Sequence, residues 1–280
     1  MTDNHLGAIL CPNCRKLISV NAEKCIHCGM KKPNIWGIAD WLRRTFGGQF
    51  SFVPVISMVC VVLYVLSLLL KRPDLFSGGI FGLLSPHNYS LAFLGATGAF
   101  AVGGEYWWTL FTAIYLHGSL LHILFNVMWI RQLGPMVEEF YGIPRSFLIF
   151  TISGVAGFIL SNYMGISFTI GASGSIFGLM GALIYFGKKR GGTFGMAIYK
   201  QLGQWAIVIF VMGFLLPGIN NWAHGGGLAA GYLTAAALGY IEIKPEKRSH
   251  LLSGAIAVGL TVLAFITALI YGIANLRHLL

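Results

Sequence analysis

Three short stretches of this chain set residues capable of chemistry into apolar sequence. Gly171-Ala172-Ser173-Gly174-Ser175 opens one apolar block, Ala223-His224-Gly225-Gly226-Gly227 opens another, and His122 and Asn126 stand four apart in a third. A serine hydroxyl beside an imidazole is a nucleophile with its base. Residues four apart share a helical face, so His122 and Asn126 can donate hydrogen bonds to one atom, or can tie neighbouring helices together. Spacing alone does not separate Ser173 from Ser175. Glycine supplies the means of bringing serine and histidine together. Gly178 follows Gly174 by four, and His224, Gly227 and Gly231 fall on one helical face, so two smooth faces can pack backbone against backbone. Helix packing alone would account for either stretch taken singly; their joint presence favours chemistry.

A fourth constellation is different in kind. Cys11, Cys14, Cys25 and Cys28 form two C-x-x-C pairs, while Cys60 stands alone in an apolar run where a thiol packs and stays inert. Four thiolates in two such knuckles can surround one zinc ion, and a stretch of about thirty residues needs a staple of this kind to fold. Disulfides would require an oxidising compartment, and a redox C-x-x-C would require a βαβ pattern that the sequence lacks. His27 lies inside the second knuckle and reads as a spacer. Thiolate ligation implies the reducing side, which places the N-terminus in the cytosol.

The elements that must position these groups are membrane helices. With 280 residues, 56% hydrophobic content, only 10% charged residues and a mean hydropathy of +0.74, the chain cannot cover a water-facing surface. Soluble, fibrous and disordered classes are excluded. The net charge of +10 does not read as a nucleic-acid patch, because the basic residues lie between apolar blocks. After the Cys-rich module, Ile35 to Phe46 mixes Trp36, Trp41 and Phe46 with Arg43 and Arg44, as in a helix lying on a membrane surface.

Spans are expected at about 54–70, 120–137, 146–163, 172–186, 203–216, 224–240 and 251–271, with an interrupted, partly interfacial stretch from Lys71 to Leu116. The fourth and sixth, rich in Gly and Ala, would fare poorly against lipid and should sit inside the bundle. With the N-terminus inside, fifteen Lys and Arg fall on the cytosolic side, including Arg145 and the loop from Lys188 to Lys200, against Lys71, Arg72 and Arg277 outside. Arg131, within the second span, would snorkel toward the inner face.

None of the nine acidic residues lies in the body of an expected span, so an aspartyl mechanism and a Ser-His-Asp triad are disfavoured, and no H-E-x-x-H is present. A Ser-His dyad would have to hold its imidazole by stacking and packing.

The segments HGSLLHILFN, GASGSIFGLMG and AHGGGLAAGY, in that order on successive spans, resemble the rhomboid family of intramembrane serine proteases over about Glu105 to Tyr240. The resemblance implies Ser173 as nucleophile, His224 as base, His122 and Asn126 as oxyanion-hole members, and His117 as a structural histidine organising the first long loop. It also implies six core helices plus a seventh. Two positions depart from the family pattern. Trp108 in Glu105-Tyr106-Trp107-Trp108 stands where Arg is usual, so the loop must be anchored differently. Phe177 stands where many relatives have Tyr, and can stack on His224 without offering a hydroxyl.

The expected architecture is an all-α, multi-pass membrane protein. It comprises a cytosolic zinc ribbon (1–32), an amphipathic linker (33–53), a six-helix rhomboid-like core (54–250) and a seventh helix with its tail (251–280). The expected function is cleavage of transmembrane segments of other membrane proteins, in the cell membrane, with zinc purely structural. The ribbon could bind a cytosolic protein or merely cap the N-terminus, and nucleic acid is not expected. The alternatives are a non-catalytic rhomboid-like protein that binds transmembrane helices, against which Ser173 and His224 together argue, and a solute transporter, which would need inverted repeats and buried carboxylates.

Overall fold

The computed structural model describes residues 8–11, 16–19, 21–29, 51–76, 82–101, 103–216 and 218–275. Cys14 and most of the expected amphipathic linker lie outside the described residues. Near the N-terminus, β1 (Ala8–Leu10) pairs antiparallel with β2 (Leu17–Ser19), Leu10 opposite Leu17, and buries Cys11, Ile18 and Cys25 in a small cluster. Among the described residues seven long helices follow: α1 (Phe52–Leu70), α2 (Leu120–Tyr141), α3 (Ile143–Tyr163), α4 (Ser173–Arg190), α5 (Gly192–Leu215), α6 (Asn221–Leu238) and α7 (Arg248–Ala274). Five of them, α1, α2, α3, α5 and α7, are long and apolar enough to cross a membrane. The remaining two, α4 and α6, are the Gly- and Ala-rich helices expected inside the bundle.

Glycine explains where α4 and α6 lie. A Cβ at Gly231 would run into the Gly178 carbonyl, and one at Gly227 into the Gly174 carbonyl, so the two helices touch along their backbones. A Cβ at Gly157 of α3 would lie 2.5 Å from the Ala223 carbonyl oxygen, which brings a third helix to the same contact. Helix α4 also packs on α2, α3 and α5, and most of its length is buried.

Connections are tighter than the sequence suggests. The expected loop from Lys188 to Lys200 is absent: α4 runs through Arg190, Gly191 and Gly192 reverse the chain with φ of 65° each, and α5 begins at Gly192, eleven residues before its expected start. Only glycine adopts two successive left-handed residues at little cost, which makes so short a reversal possible. Helix α2 likewise continues past Val137 to Tyr141 and is separated from α3 by Gly142 alone. It thereby takes in Glu138, whose Oε1 accepts the Phe52 N–H at 2.6 Å and caps the start of α1 together with Ser51.

Arg145, counted above as a cytosolic loop charge, is fully buried in the first turn of α3. Its guanidinium donates to the Tyr141 carbonyl, to that of Gly239 at 2.8 Å and to that of Lys244 at 2.9 Å. Three chain segments end at one point, and their carbonyls need a donor that water cannot supply there.

The stretch between α1 and α2 is neither span nor solvated loop. A hairpin, β3 (Asp74–Phe76) with β4 (Leu83–Ser85), leads into short helices Asn88–Phe93 and Thr109–Thr112 and a 3-10 turn Ala99–Ala101. Leu91, Leu94, Ala96 and Leu116 bury themselves against the bundle.

Candidate active site

The N-terminal ends of α2, α4 and α6 converge. Ser173 is the first residue of α4 and His224 lies in the first turn of α6; His224 Nε2 is 2.9 Å from Ser173 Oγ. The imidazole is buried and stacks on Phe177 of α4, ring centroids 4.3 Å apart and planes 13° from parallel. Phe177 stands one helical turn after Ser173 on the same face of α4, so a single helix supplies both the hydroxyl and the plate that orients the ring. Nδ1 of His224 has no hydrogen-bond partner among the described residues, and no carboxylate completes a triad there.

Helix α6 is fixed at this end by Asn220. Its Oδ1 accepts the Ala223 N–H at 3.2 Å, and its amide donates to Ser161 Oγ and, at 3.0 Å, to Thr169 Oγ1. Sequence reasoning passed over Asn220, although Asn immediately ahead of a helical run is an N-cap signal.

Ser175, left open against Ser173, is separated from it by orientation. It is fully buried, its Oγ abuts the backbone at Gly154 of α3, and it has no hydrogen-bond partner among the described residues. Two residues along a helix turn the side chain through about 200°, which carries Ser175 away from His224.

His122, in the first turn of α2, faces the turn before α4. The Gly118 N–H donates to its Nδ1 at 3.3 Å, so its proton sits on Nε2. A Cβ at Gly171 would lie 2.6 Å from that Nε2, which shows how closely the ring approaches the chain two residues ahead of Ser173. His117 is fully buried; its Nδ1 donates to the Tyr115 carbonyl at 3.2 Å, and its ring meets His122 edge-on at 5.1 Å. Asn126 shares the His122 face as expected, yet one N–H of its amide turns back to the His122 carbonyl at 2.7 Å. Its second N–H remains, and its Oδ1 is buried without a partner among the described residues. Gly171 itself donates to the Ala113 carbonyl at 2.9 Å, and α4 has no side-chain cap, so its first-turn N–H groups do not face a capping side chain.

At the opposite end of the bundle stand Arg145 and an exposed ion pair, Arg190 with Glu242 at 3.1 Å. Far along the chain, the Sγ atoms of Cys11, Cys25 and Cys28 lie within 4.8 Å of one another, Cys11 and Cys28 at 3.6 Å. Thiolates at about 2.3 Å from a tetrahedral zinc stand roughly 3.8 Å apart, so the separation fits a shared metal and is too long for a disulfide. These three cysteines can hold a metal ion.

Comparison with known proteins identifies the family. The Rhomboid domain profile matches residues 104–241. Rhomboid protease GluP of Bacillus subtilis is 33% identical over 198 residues, covering 69% of this chain and 37% of GluP. RHOMBOID-like protein 4 of Arabidopsis thaliana is 31% identical over 159 residues, 56% of this chain and 40% of that protein. The chain thus spans well under half the length of these two relatives. YdcA of Bacillus subtilis, whose name also places it among the rhomboids, is 32% identical over 147 residues, which cover 51% of this chain and 71% of YdcA. The ends of α2, α4 and α6 all fall within the matched residues, and the chain belongs to the rhomboid family.

Proposed function

We propose that this protein is an intramembrane serine endopeptidase that cleaves transmembrane segments of other membrane proteins with a Ser173–His224 dyad. The observation that carries the reading is the 2.9 Å approach of His224 Nε2 to Ser173 Oγ at facing ends of two glycine-packed helices. Ser173 Oγ attacks the scissile carbonyl carbon while His224 Nε2 takes the hydroxyl proton. The tetrahedral intermediate collapses to an acyl-enzyme, and His224 returns the proton to the leaving amine. Water, deprotonated by the same imidazole, then releases the second product and restores Ser173. His122 Nε2–H, the free N–H of Asn126 and the first-turn N–H groups of α4 are the donors for the oxyanion. Stacking on Phe177 does the orienting that a carboxylate does in a triad. Helical peptide bonds are shielded, so substrates whose helix end unwinds readily at small residues are favoured.

The ribbon binds one structural zinc through Cys11, Cys14, Cys25 and Cys28 and takes no part in hydrolysis. It lies in the cytosol and is available there to a protein partner. The C-terminus lies outside, and the protein resides in the cell membrane. Support for this orientation is the distribution of Lys and Arg, together with the position of Arg145, Arg190 and Lys244 at the end of the bundle away from Ser173. Purified protein should carry about one zinc per chain, and chelation should leave cleavage intact; a ribbon that is folded in protein without metal would remove the zinc assignment, and cleavage lost on chelation would remove its separation from hydrolysis.

The direct test is labelling by a fluorophosphonate probe in detergent. Wild-type protein should label covalently and Ser173→Ala should not; a probe that reacts with neither, or equally with both, defeats the protease reading.

A further inference from the structure

We propose that Trp108 and Tyr271 are positioning residues for the Ser173–His224 site: the seventh helix clamps the segment 105–116, and that segment sets the turn ahead of Ser173. The inference rests on the protease reading and adds to it an element that lies outside the profile match, since Tyr271 is beyond residue 241.

The clamp begins with the face of α7. Gly254, Ala257, Thr261, Ala264, Ala268 and Gly272 are its buried residues, recurring every three or four positions, while Leu263, Leu269, Ile270 and Ile273 are exposed. A helix with one stripe of small residues and another of large ones buries the first against protein and offers the second to lipid. The small stripe permits close contact: a Cβ at Gly272 would lie 2.8 Å from Phe93 Cδ2, and one at Gly95 would lie 3.3 Å from the Ala268 methyl.

Into this stripe fits an aromatic cluster. Trp108 is buried beside Ala264 and Ala268, with Tyr106, Trp107 and Phe111 around it. Tyr271 closes the cluster from α7, its ring centroid 5.4 Å from that of Trp108 and 5.5 Å from that of Tyr106, the second pair nearly perpendicular at 85°. Its hydroxyl also reaches the Tyr106 hydroxyl at 3.4 Å. Nearly two turns earlier in α7, Phe265 meets Tyr115 at 5.6 Å.

From the clamped segment two short paths lead to the dyad. The Trp108 carbonyl accepts the Thr112 N–H at 3.0 Å, and Thr112 Oγ1 ties to the Gly95 carbonyl at 2.7 Å. The next residue, Ala113, accepts the Gly171 N–H at 2.9 Å, two residues ahead of Ser173. Along the second path the Tyr115 carbonyl holds His117, whose ring packs on His122. The segment therefore fixes both the nucleophile's turn and the neighbouring imidazole, while Trp108 and Tyr271 do not touch Ser173, His224 or His122. Loosening the clamp lowers the fraction of molecules with the site assembled, which is a loss in kcat; substrate affinity is set elsewhere.

The test compares Tyr271→Leu and Tyr271→Ala with Tyr271→Phe, and with Leu269→Ala on the exposed face of α7. Full-length protein is assayed for cleavage of a reporter transmembrane substrate, for the rate of fluorophosphonate labelling, and for hydrogen exchange over residues 103–119. Tyr271→Leu keeps apolar volume and so guards against simple unfolding of the alanine variant. A misplacement of about 1 Å costs on the order of 100-fold in rate, so Tyr271→Leu should lower kcat by roughly 10- to 100-fold with KM within about twofold. Labelling should slow by a similar factor, and exchange in 103–119 should rise. Tyr271→Phe should recover nearly all activity, and Leu269→Ala should match wild type. Wild-type kcat and labelling in Tyr271→Leu, a loss confined to KM, or unaltered exchange overturns the clamp. Wild-type protein that neither labels nor cleaves overturns the protease reading, and the positioning role with it, even where exchange rises as expected.

Discussion

Helices α1 and α5 on one side and α4 and α6 on the other show two ways of being a membrane helix. Helix α1 presents Val55, Met58, Val61, Leu66 and Leu69 outward, and α5 presents Trp205, Ile207, Val211 and Phe214. Their large side chains favour lipid and keep neighbouring backbones at a distance. Helices α4 and α6 are stripped of such side chains along their shared contact, and they alone of the seven, each 18 residues long, lack the apolar character that marks a span. That deficit lets a serine and a histidine stand 2.9 Å apart. Close backbone approach requires residues without side chains, and such residues are poor solvents for lipid; catalytic proximity and lipid solubility make opposite demands on the same face.

The largest effect expected on this comparison is at the junction itself. Ser173→Ala or His224→Ala should reduce cleavage of a reporter transmembrane substrate by about 10⁴-fold or more, since nucleophile and base act as a unit. Thermal unfolding in detergent should remain close to wild type. Substantial residual cleavage by both variants would mean that the glycine-packed ends bring the pair together for structural reasons only.

The second expectation concerns what allows the approach. Gly231→Val places branched carbons where the Gly178 carbonyl stands, and backbone cannot yield as a side chain can. The cost should exceed about 3 kcal/mol, read as loss of folded protein. Val61→Ala on the exposed face of α1 should change stability by roughly 0.5 kcal/mol or less. Equal effects at the two positions would erase the distinction between the helix classes.

A middle-sized effect is expected at Asn126. Losing one oxyanion donor while His122 and backbone N–H groups remain should lower turnover by on the order of 10- to 1,000-fold in Asn126→Ala. The amide bond to the His122 carbonyl belongs to the same helix, so it is replaceable without unfolding α2. Wild-type turnover in this variant would confine Asn126 to packing.

What the sequence made legible, and what it did not, follows the range over which each signal acts. Recurrence every three or four residues exposed the smooth faces of α4 and α6, and the small-residue composition placed both helices inside. Chemistry local to one helix was legible too: Phe177 lies one turn from Ser173, and it stacks on His224 as anticipated. The burial of Arg145 was not legible, because a charge near a helix end reads only as a topology signal and its burial depends on carbonyls at Gly239 and Lys244, nearly a hundred residues away. The short α4–α5 reversal was missed because the basic run Lys188 to Arg190 resembles a loop, whereas paired glycines make one unnecessary. The anchoring of Trp108 by α7 lay beyond any local pattern, since its partners Ala264, Ala268 and Tyr271 come from a helix more than 150 residues later. The ribbon's metal-ligand spacing was plain at once, and three of its four cysteines do cluster.

The smallest effect is the one that tests orientation most sharply. Ser173 and Ser175 share a motif, a helix and a residue type, and differ in the direction each takes from α4. Ser175 Oγ is buried against Gly154 and lacks a hydrogen-bond partner among the described residues, so Ser175→Ala removes no bond that the fold uses. Deleting an unpartnered buried hydroxyl relieves a desolvation cost of about 1–3 kcal/mol and opens only a small gap, so stability should hold or rise slightly. Cleavage should stay within about twofold of wild type, and fluorophosphonate labelling should be unchanged. If Ser175→Ala is inert while Ser173→Ala cleaves, α4 is turned by about half a revolution from the arrangement described here, and Phe177 could not then stack on His224 either.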